Sequence, residues 1–251
     1  VKTAFLHGEL KEKIYMTPPE GYESQFQEDE VCLLNKSLYG LKQSPRQWNE
    51  KFDNYMSEIG FVRSEYDSCA YVKELLDGSL MYLLIYVDDM LVAAKDKEAI
   101  SQLKKELSLK FEMKDLGAAR KILGMEITRK REEGVLCLSQ EGYLSKILET
   151  YGMKEAKHVS TPLGAHLKLR AGTEEQIARD EDYMREVPYS NAVGSIMYAM
   201  IGTRPDLAHP VGVISRYMSQ PIKDHWQAVK WVLRYIKGTQ QTRLIYKRST
   251  D

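Results

Sequence analysis

The chain of 251 residues is 43% apolar, which suffices for one large buried core or two smaller ones. Lysine plus arginine equals aspartate plus glutamate at 36 each, so the global basic field that many nucleic-acid binders carry is excluded. No apolar run approaches the roughly 18 residues of a membrane span, no signal peptide opens the chain, and Cys32, Cys69 and Cys137 lack the spacing of a disulfide framework or zinc site, which fits a reducing compartment.

Residues 2–10 mix small and apolar side chains and read as a strand end running into a turn at Gly8. Thr17, Pro18 and Pro19 break regular structure, residues 25–30 read as acidic and exposed, and residues 31–34 read as a short strand. The clearest helix follows. Ser44, Pro45 and Gln47 give a capping-box start with proline at the first helical position, Trp48, Phe52, Tyr55, Met56 and Ile59 share a face, and Gly60 ends the helix. That stripe reads as core. Ahead of it, Gly40 permits close backbone approach to a ligand, and Lys42 with the helix start offers positive potential to phosphate.

Residues 69–73 and 80–87 read as strands joined through an Asp77-Gly78 turn. Residues 81–87 and 90–94 read as buried strands separated only by Asp88 and Asp89, which places both acids at a hairpin tip. The residues alone leave two readings open. One is a polar turn, since aspartate can bond its own backbone. The other is a cation site, because adjacent carboxylates repel unless screened and their hard oxygens suit Mg²⁺.

Asp96 caps a second amphipathic helix, with Ile100, Leu103 and Leu107 on its inner side, so that helices cover one face of an antiparallel sheet in an α+β layer. Asp115-Leu116-Gly117 turns the chain, residues 122–128 read as a strand, Glu133-Gly134 as a turn and residues 135–138 as its partner. A helix over 140–151 leads into a polar stretch, 157–188, broken by Pro162 and Gly164, which is the best boundary candidate. Residues 189–201 read as an apolar helix with Gly194 and Tyr198 on one face, where close helix packing and a ligand-facing surface both explain the glycine. Arg204-Pro205 and His209-Pro210 limit the next connection, and Trp226, Val229, Val232, Leu233 and Ile236 mark a last amphipathic helix.

Charge is uneven locally. Residues 31–49 carry only Lys36, Lys42 and Arg46, and residues 223–248 set seven basic side chains against Asp224. Such surfaces track a phosphate backbone or simply solvate a helix face. The five histidines, His7, His158, His166, His209 and His225, show no metal spacing.

The tetrapeptide Tyr86-Val87-Asp88-Asp89 resembles the polymerase signature of reverse transcriptases, and its companions extend the resemblance over nearly the whole chain. VKTAFLHG (1–8), IYMTPPEGY (14–22), SLYGLKQSPRQW (37–48), LGMEI (123–127), YSNAVGSIMY (189–198), TRPD (203–206) and WVLRYIKGT (231–239) follow in the order found in Ty1/copia-type retrotransposon reverse transcriptases.

That resemblance implies an α+β polymerase palm, an antiparallel sheet with helices on one face, followed by a mostly helical thumb. It implies a palm with a primer-grip hairpin over residues 1–156, linker and thumb over 157–222, and the start of a connection towards ribonuclease H over 223–251, with fingers and ribonuclease H outside the chain. By the same resemblance Asp88 and Asp89 are catalytic and hold two Mg²⁺ ions, for which Mn²⁺ can substitute. Phe5, Tyr39 and Gly40 face the nucleotide, and Phe5 excludes a ribose 2′-hydroxyl. Lys42, Ser44, Pro45, Gly124, Met125, Glu126, Gly194 and Tyr198 contact template and primer, and Lys114 or Lys121 is the candidate general acid. A third family acid falls immediately before Val1, so weak or absent activity is expected of the chain alone, with a decayed template-primer binding remnant as the alternative. Expected partners are an RNA or DNA template-primer, a deoxynucleoside triphosphate and the rest of a Pol polyprotein. No membrane is implied, and the expected setting is cytoplasmic, in a virus-like particle, with a nuclear phase. A different two-metal nucleotidyltransferase would leave residues 37–48 and 189–198 unexplained.

Overall fold

A computed structural model describes residues 1–22, 25–27 and 29–248. Two compact units divide at Ala118/Ala119, and residues 157–188 run inside the second. The first unit opens with a 3-10 turn, Ala4–His7, where a strand end was expected. The turn forms because Thr3 takes a left-handed φ of 50° and the amides of Leu6 and Gly8 bond back to the carbonyls of Thr3 and Phe5. Two short strands, β1 (Tyr15–Met16) and β2 (Cys32–Leu33), pair antiparallel. Between them Gln25, Gln27, Asp29 and Glu30 are exposed as expected, Phe26 is half-buried, and Glu28 lies outside the described residues.

Helix α1 (Ser44–Glu58) forms on its apolar stripe, but not with the expected cap. Gln43 precedes it without a side-chain cap bond, and Ser44 instead donates its hydroxyl to Leu38 O at 2.6 Å. Strands β3 (Val62–Arg63), β4 (Ala70–Glu74), β5 (Leu80–Tyr86) and β6 (Asp89–Ala93) make one antiparallel sheet in sequence order. Asp96 caps α2 (Lys97–Lys110) by accepting from the Glu98 amide. Trp48, Phe52 and Met56 of α1 share a core with Leu103 and Leu107 of α2, Phe111, Tyr71 of β4, and Met81, Leu83 and Ile85 of β5.

Strand β5 corrects one expectation. Buried residues alternate with exposed Leu80, Tyr82, Leu84 and Tyr86, so the strand is covered on one face only. Tyr71 donates to Asp53 Oδ1 at 2.9 Å and fastens α1 to the sheet. Burial, with Asp53 beside it, pushes that phenol well above its usual value.

In the second unit the expected single strand over 122–128 is broken into β7 (Lys121–Ile122) and β8 (Met125–Lys130) by a turn at Leu123-Gly124. Strand β9 (Val135–Ser139) continues the sheet. Helices α3 (Glu141–Thr150), α4 (Glu174–Arg185), α5 (Tyr189–Gly202), α6 (Ala208–Ile214) and α7 (Lys223–Gly238) follow, and β10 (Leu244–Lys247) returns to pair with β9 in the order β10-β9-β8-β7. Leu144, Ile147 and Leu148 of α3, Val193, Ile196 and Ala199 of α5, and Val229, Val232, Leu233 and Ile236 of α7 form its core.

Buried polar side chains tie these helices together. Arg204 is fully buried and bonds both oxygens of Asp206 as well as Thr239 O, while Thr203 donates to Gln140 Oε1 at 2.8 Å. The TRPD stretch is therefore a structural knot. Asp180 accepts from the Lys223 amide at the start of α7, and its bond to Arg179 holds its carboxyl at about 2. Among the described residues no helix is long and apolar enough to cross a membrane.

His225 yields a pH prediction. It stacks on Tyr217 at 3.8 Å, accepts from the Ile222 amide at Nδ1 (3.0 Å) and meets Arg170 O through Nε2 (2.8 Å), so the neutral ring with its proton on Nε2 satisfies both partners. Burial lowers its pKa below the ordinary value of 6.5. The folded state therefore favours the neutral form, and this stabilisation is complete above the unfolded pKa and lost as pH falls through the folded one. Thermal unfolding followed from about pH 7 to about pH 5 should show the second unit weakening, and His225→Gln should flatten that part of the slope.

Candidate functional site

The expected site residues fall into two groups, one in each unit. In the first, β5 and β6 are joined by the two-residue turn Val87-Asp88, with Asp89 already in β6 opposite Tyr86. Asp88 and Asp89 are exposed, and among the described residues neither carboxylate is bonded or ion-paired. Val87 has a φ of 55°, a left-handed conformation that β-branched residues rarely adopt and that costs on the order of 1–3 kcal/mol. The buried indole of Trp48 donates through Nε1 to Val87 O at 2.7 Å, and the nitrogen of Val1 donates to Asp88 O at 2.5 Å.

The same indole ring links this turn to the other expected residues. It packs 5.8 Å from His7, in the 3-10 turn that carries Phe5, and Phe5 lies 4.8 Å from Tyr39 between ring centroids. Ser37 donates its amide to Gly8 O. A Cβ at Gly8 would come within 2.9 Å of Ser37 Oγ and Gln47 Cβ, so only glycine lets the two segments approach this closely. Gly40 has a φ of 98° with open space where a side chain would stand. Lys42 and Pro45 are exposed beside the start of α1, whereas Ser44 is buried.

In the second unit Leu123 and Gly124 both take positive φ, 47° and 74°, as a two-residue hairpin turn requires. Tyr198 donates its hydroxyl to Leu123 O at 2.5 Å, and its ring packs edge-on against Tyr143 at 5.1 Å. Gly124 and Tyr198 are thus neighbours. Met125 is half-buried and Glu126 exposed on β8. Gly194 sits on the exposed face of α5 with Tyr198, and nothing lies within 4 Å of where its Cβ would be, so close helix packing does not explain the glycine. Lys114 and Lys121 are both exposed.

The apolar stripe of α1 marks Trp48 as core and nothing more. Its indole N–H was the one available signal, since a buried tryptophan requires an acceptor. Among the described residues no group of three or more His, Cys, Asp or Glu converges to hold a metal. Asp88 and Asp89 nevertheless suit a hard cation that takes one or two protein carboxylates and completes its shell with water and phosphate.

Residues 1–165 match the family model described as "Reverse transcriptase (RNA-dependent DNA polymerase)". The chain is 54% identical over 239 residues to the retrovirus-related Pol polyprotein from transposon TNT 1-94 of Nicotiana tabacum, covering 95% of this chain and 18% of that protein. It is 36% identical over 248 residues to the corresponding polyprotein from transposon RE2 of Arabidopsis thaliana, covering 99% and 16%. With the putative transposon Ty5-1 protein of Saccharomyces cerevisiae it is 33% identical over 252 residues, covering 100% of this chain and 79% of that one. No solved structure matches. The mixed α/β chain with its acidic hairpin thus belongs to the reverse transcriptase family, and the relatives that it matches over most of its length include Pol polyproteins of the Ty1/copia type. It spans less than a fifth of the length of the two plant polyproteins.

Tyr198→Phe, which deletes only the hydroxyl that meets Leu123 O, should destabilise the second unit by about 1 kcal/mol, read as a lower urea midpoint at unchanged slope. An unshifted midpoint would mean that the bond contributes nothing.

Proposed function

We propose that the chain is the palm and thumb of an RNA-directed DNA polymerase from a copia-type Pol polyprotein, adding deoxynucleotides to a primer 3′ end. The observation that carries this reading is the pair of exposed carboxylates, Asp88 and Asp89, unpartnered among the described residues, on a turn bonded by Trp48 beside the segment that carries Phe5. Asp88 and Asp89 would hold Mg²⁺, with Asp88 as the principal ligand. When bound, the metal supplies Lewis-acid activation of the primer hydroxyl and neutralises charge on the triphosphate.

The chain's own residues do the rest. Phe5, braced by Tyr39, forms the floor beneath the incoming sugar and leaves no room for a ribose 2′-hydroxyl. Gly40 leaves backbone open to the nucleotide, and Lys42 with the positive end of α1 attracts phosphate. Ser44 acts through the loop it ties down, and Pro45 borders the template path. In the second unit, the Leu123-Gly124 turn with Met125 and Glu126 supports the primer end, and the open face of α5 at Gly194 and Tyr198 follows the minor groove. Either Lys114 or Lys121 protonates the departing pyrophosphate.

The family resemblance implies an aspartate joined to Val1, and such an acid would complete the set with Asp88 and Asp89.

Primer extension on poly(rA) with Mg²⁺, using a protein extended upstream through that residue, tests the reading. Extension should be readily measured there, fall on the order of a thousandfold in Asp88→Asn, and be far weaker for the 251-residue chain alone. Undiminished synthesis by Asp88→Asn would refute it, and template-primer binding without any synthesis would leave a binding remnant.

A further inference from the structure

We propose that Trp48 is a positioning residue for the acidic turn: its indole N–H, 2.7 Å from Val87 O, holds Val87 in the left-handed conformation that directs Asp88 and Asp89 outward. The inference rests on the polymerase reading and deepens it.

Glycine would take a φ of 55° freely, whereas valine disfavours it by about ten- to a hundredfold in population. The turn therefore needs an external restraint. The carbonyl that Trp48 holds belongs to the peptide linking Val87 to Asp88, so fixing its direction fixes the plane from which the Asp88 side chain departs. If the peptide rotates, the carboxylates rotate with it.

The clamp is itself enclosed by the core. Trp48 is 3% exposed and packs against Phe52 at 5.5 Å and edge-on to Phe111 at 5.2 Å, while Phe52 in turn meets Tyr71 of the same sheet. A phenylalanine would fill much of this space but has no donor. An independent observation points the same way. Among the described residues only Thr3, Val87 and Leu123 are non-glycine residues at positive φ, and the two that lie in hairpin turns each have their carbonyl held by an aromatic donor, Trp48 Nε1 and Tyr198 Oη.

The test compares Trp48→Phe, Val87→Gly, the double variant, and Phe52→Leu as a core control. Amide hydrogen exchange on the chain itself should show Tyr86 and Asp89 exchanging about tenfold faster in Trp48→Phe than its global stability accounts for, with the excess gone in the double variant, because glycine no longer needs the restraint. Phe52→Leu should speed exchange only in proportion to its lost stability. In the upstream-extended protein, Trp48→Phe should lower kcat about tenfold or more at little-changed KM for the nucleotide, with Val87→Gly softening that loss. The proposal is overturned if Trp48→Phe behaves like Phe52→Leu, or if Val87→Gly leaves its effect undiminished. Should the exchange result hold while the extended wild-type protein makes no DNA, the polymerase reading falls and the clamp stands.

Discussion

The hydrogen bond from a buried indole to the carbonyl of Val87 is the constraint on which the first unit turns. It joins two requirements that usually compete. A core wants apolar side chains, and a turn that presents exposed carboxylates wants backbone that does not move. Trp48 meets both, because its ring is core and its one polar atom faces the turn. The aromatic contacts of that ring with His7, Phe52 and Phe111 connect the Phe5 segment, α1 and the residue after α2 to the same point. Through Trp48 these contacts reach the turn that carries Asp88.

The second unit uses the same principle without carboxylates. Tyr198 Oη restrains Leu123 as Trp48 restrains Val87, and Arg204 with Asp206 and Thr239 ties the end of α5, from which Tyr198 projects, to the end of α7. Strain at a turn persists only where its surroundings over-determine it. Here the restraint comes from a ring buried in the core of the first unit, Trp48, and from an exposed ring braced by Tyr143 in the second, Tyr198.

Much of this was legible in the chain. The stripe from Trp48 to Ile59, the Asp96 cap, the Asp88/Asp89 hairpin and the last amphipathic helix all follow from local periodicity and capping chemistry, and each formed where expected within a residue or two. What local pattern cannot supply was missed. Helix α4 hides in the polar stretch because Thr173 and Gln176 cap it while few apolar residues mark a face. Strand β10 pairs with β9 across more than a hundred residues, a contact no window of sequence contains. The break at Leu123-Gly124 demands positive φ from a leucine, which no local pattern announces, and the Tyr198 hydroxyl that meets the Leu123 carbonyl lies 75 residues away. Of the candidate site, the residue types were readable, and the clamps that orient them were not.

Cation binding by the hairpin acids can be probed without chemistry. In a ¹⁵N-labelled sample of the chain titrated with Mn²⁺, paramagnetic broadening should centre on the amides of residues 86–90 and reach residues 1–5, and excess Mg²⁺ should reverse it. Broadening spread over other acidic surface, such as residues 132–133, 174–175 and 181–182, with sharp signals at 86–90, would contradict the claim.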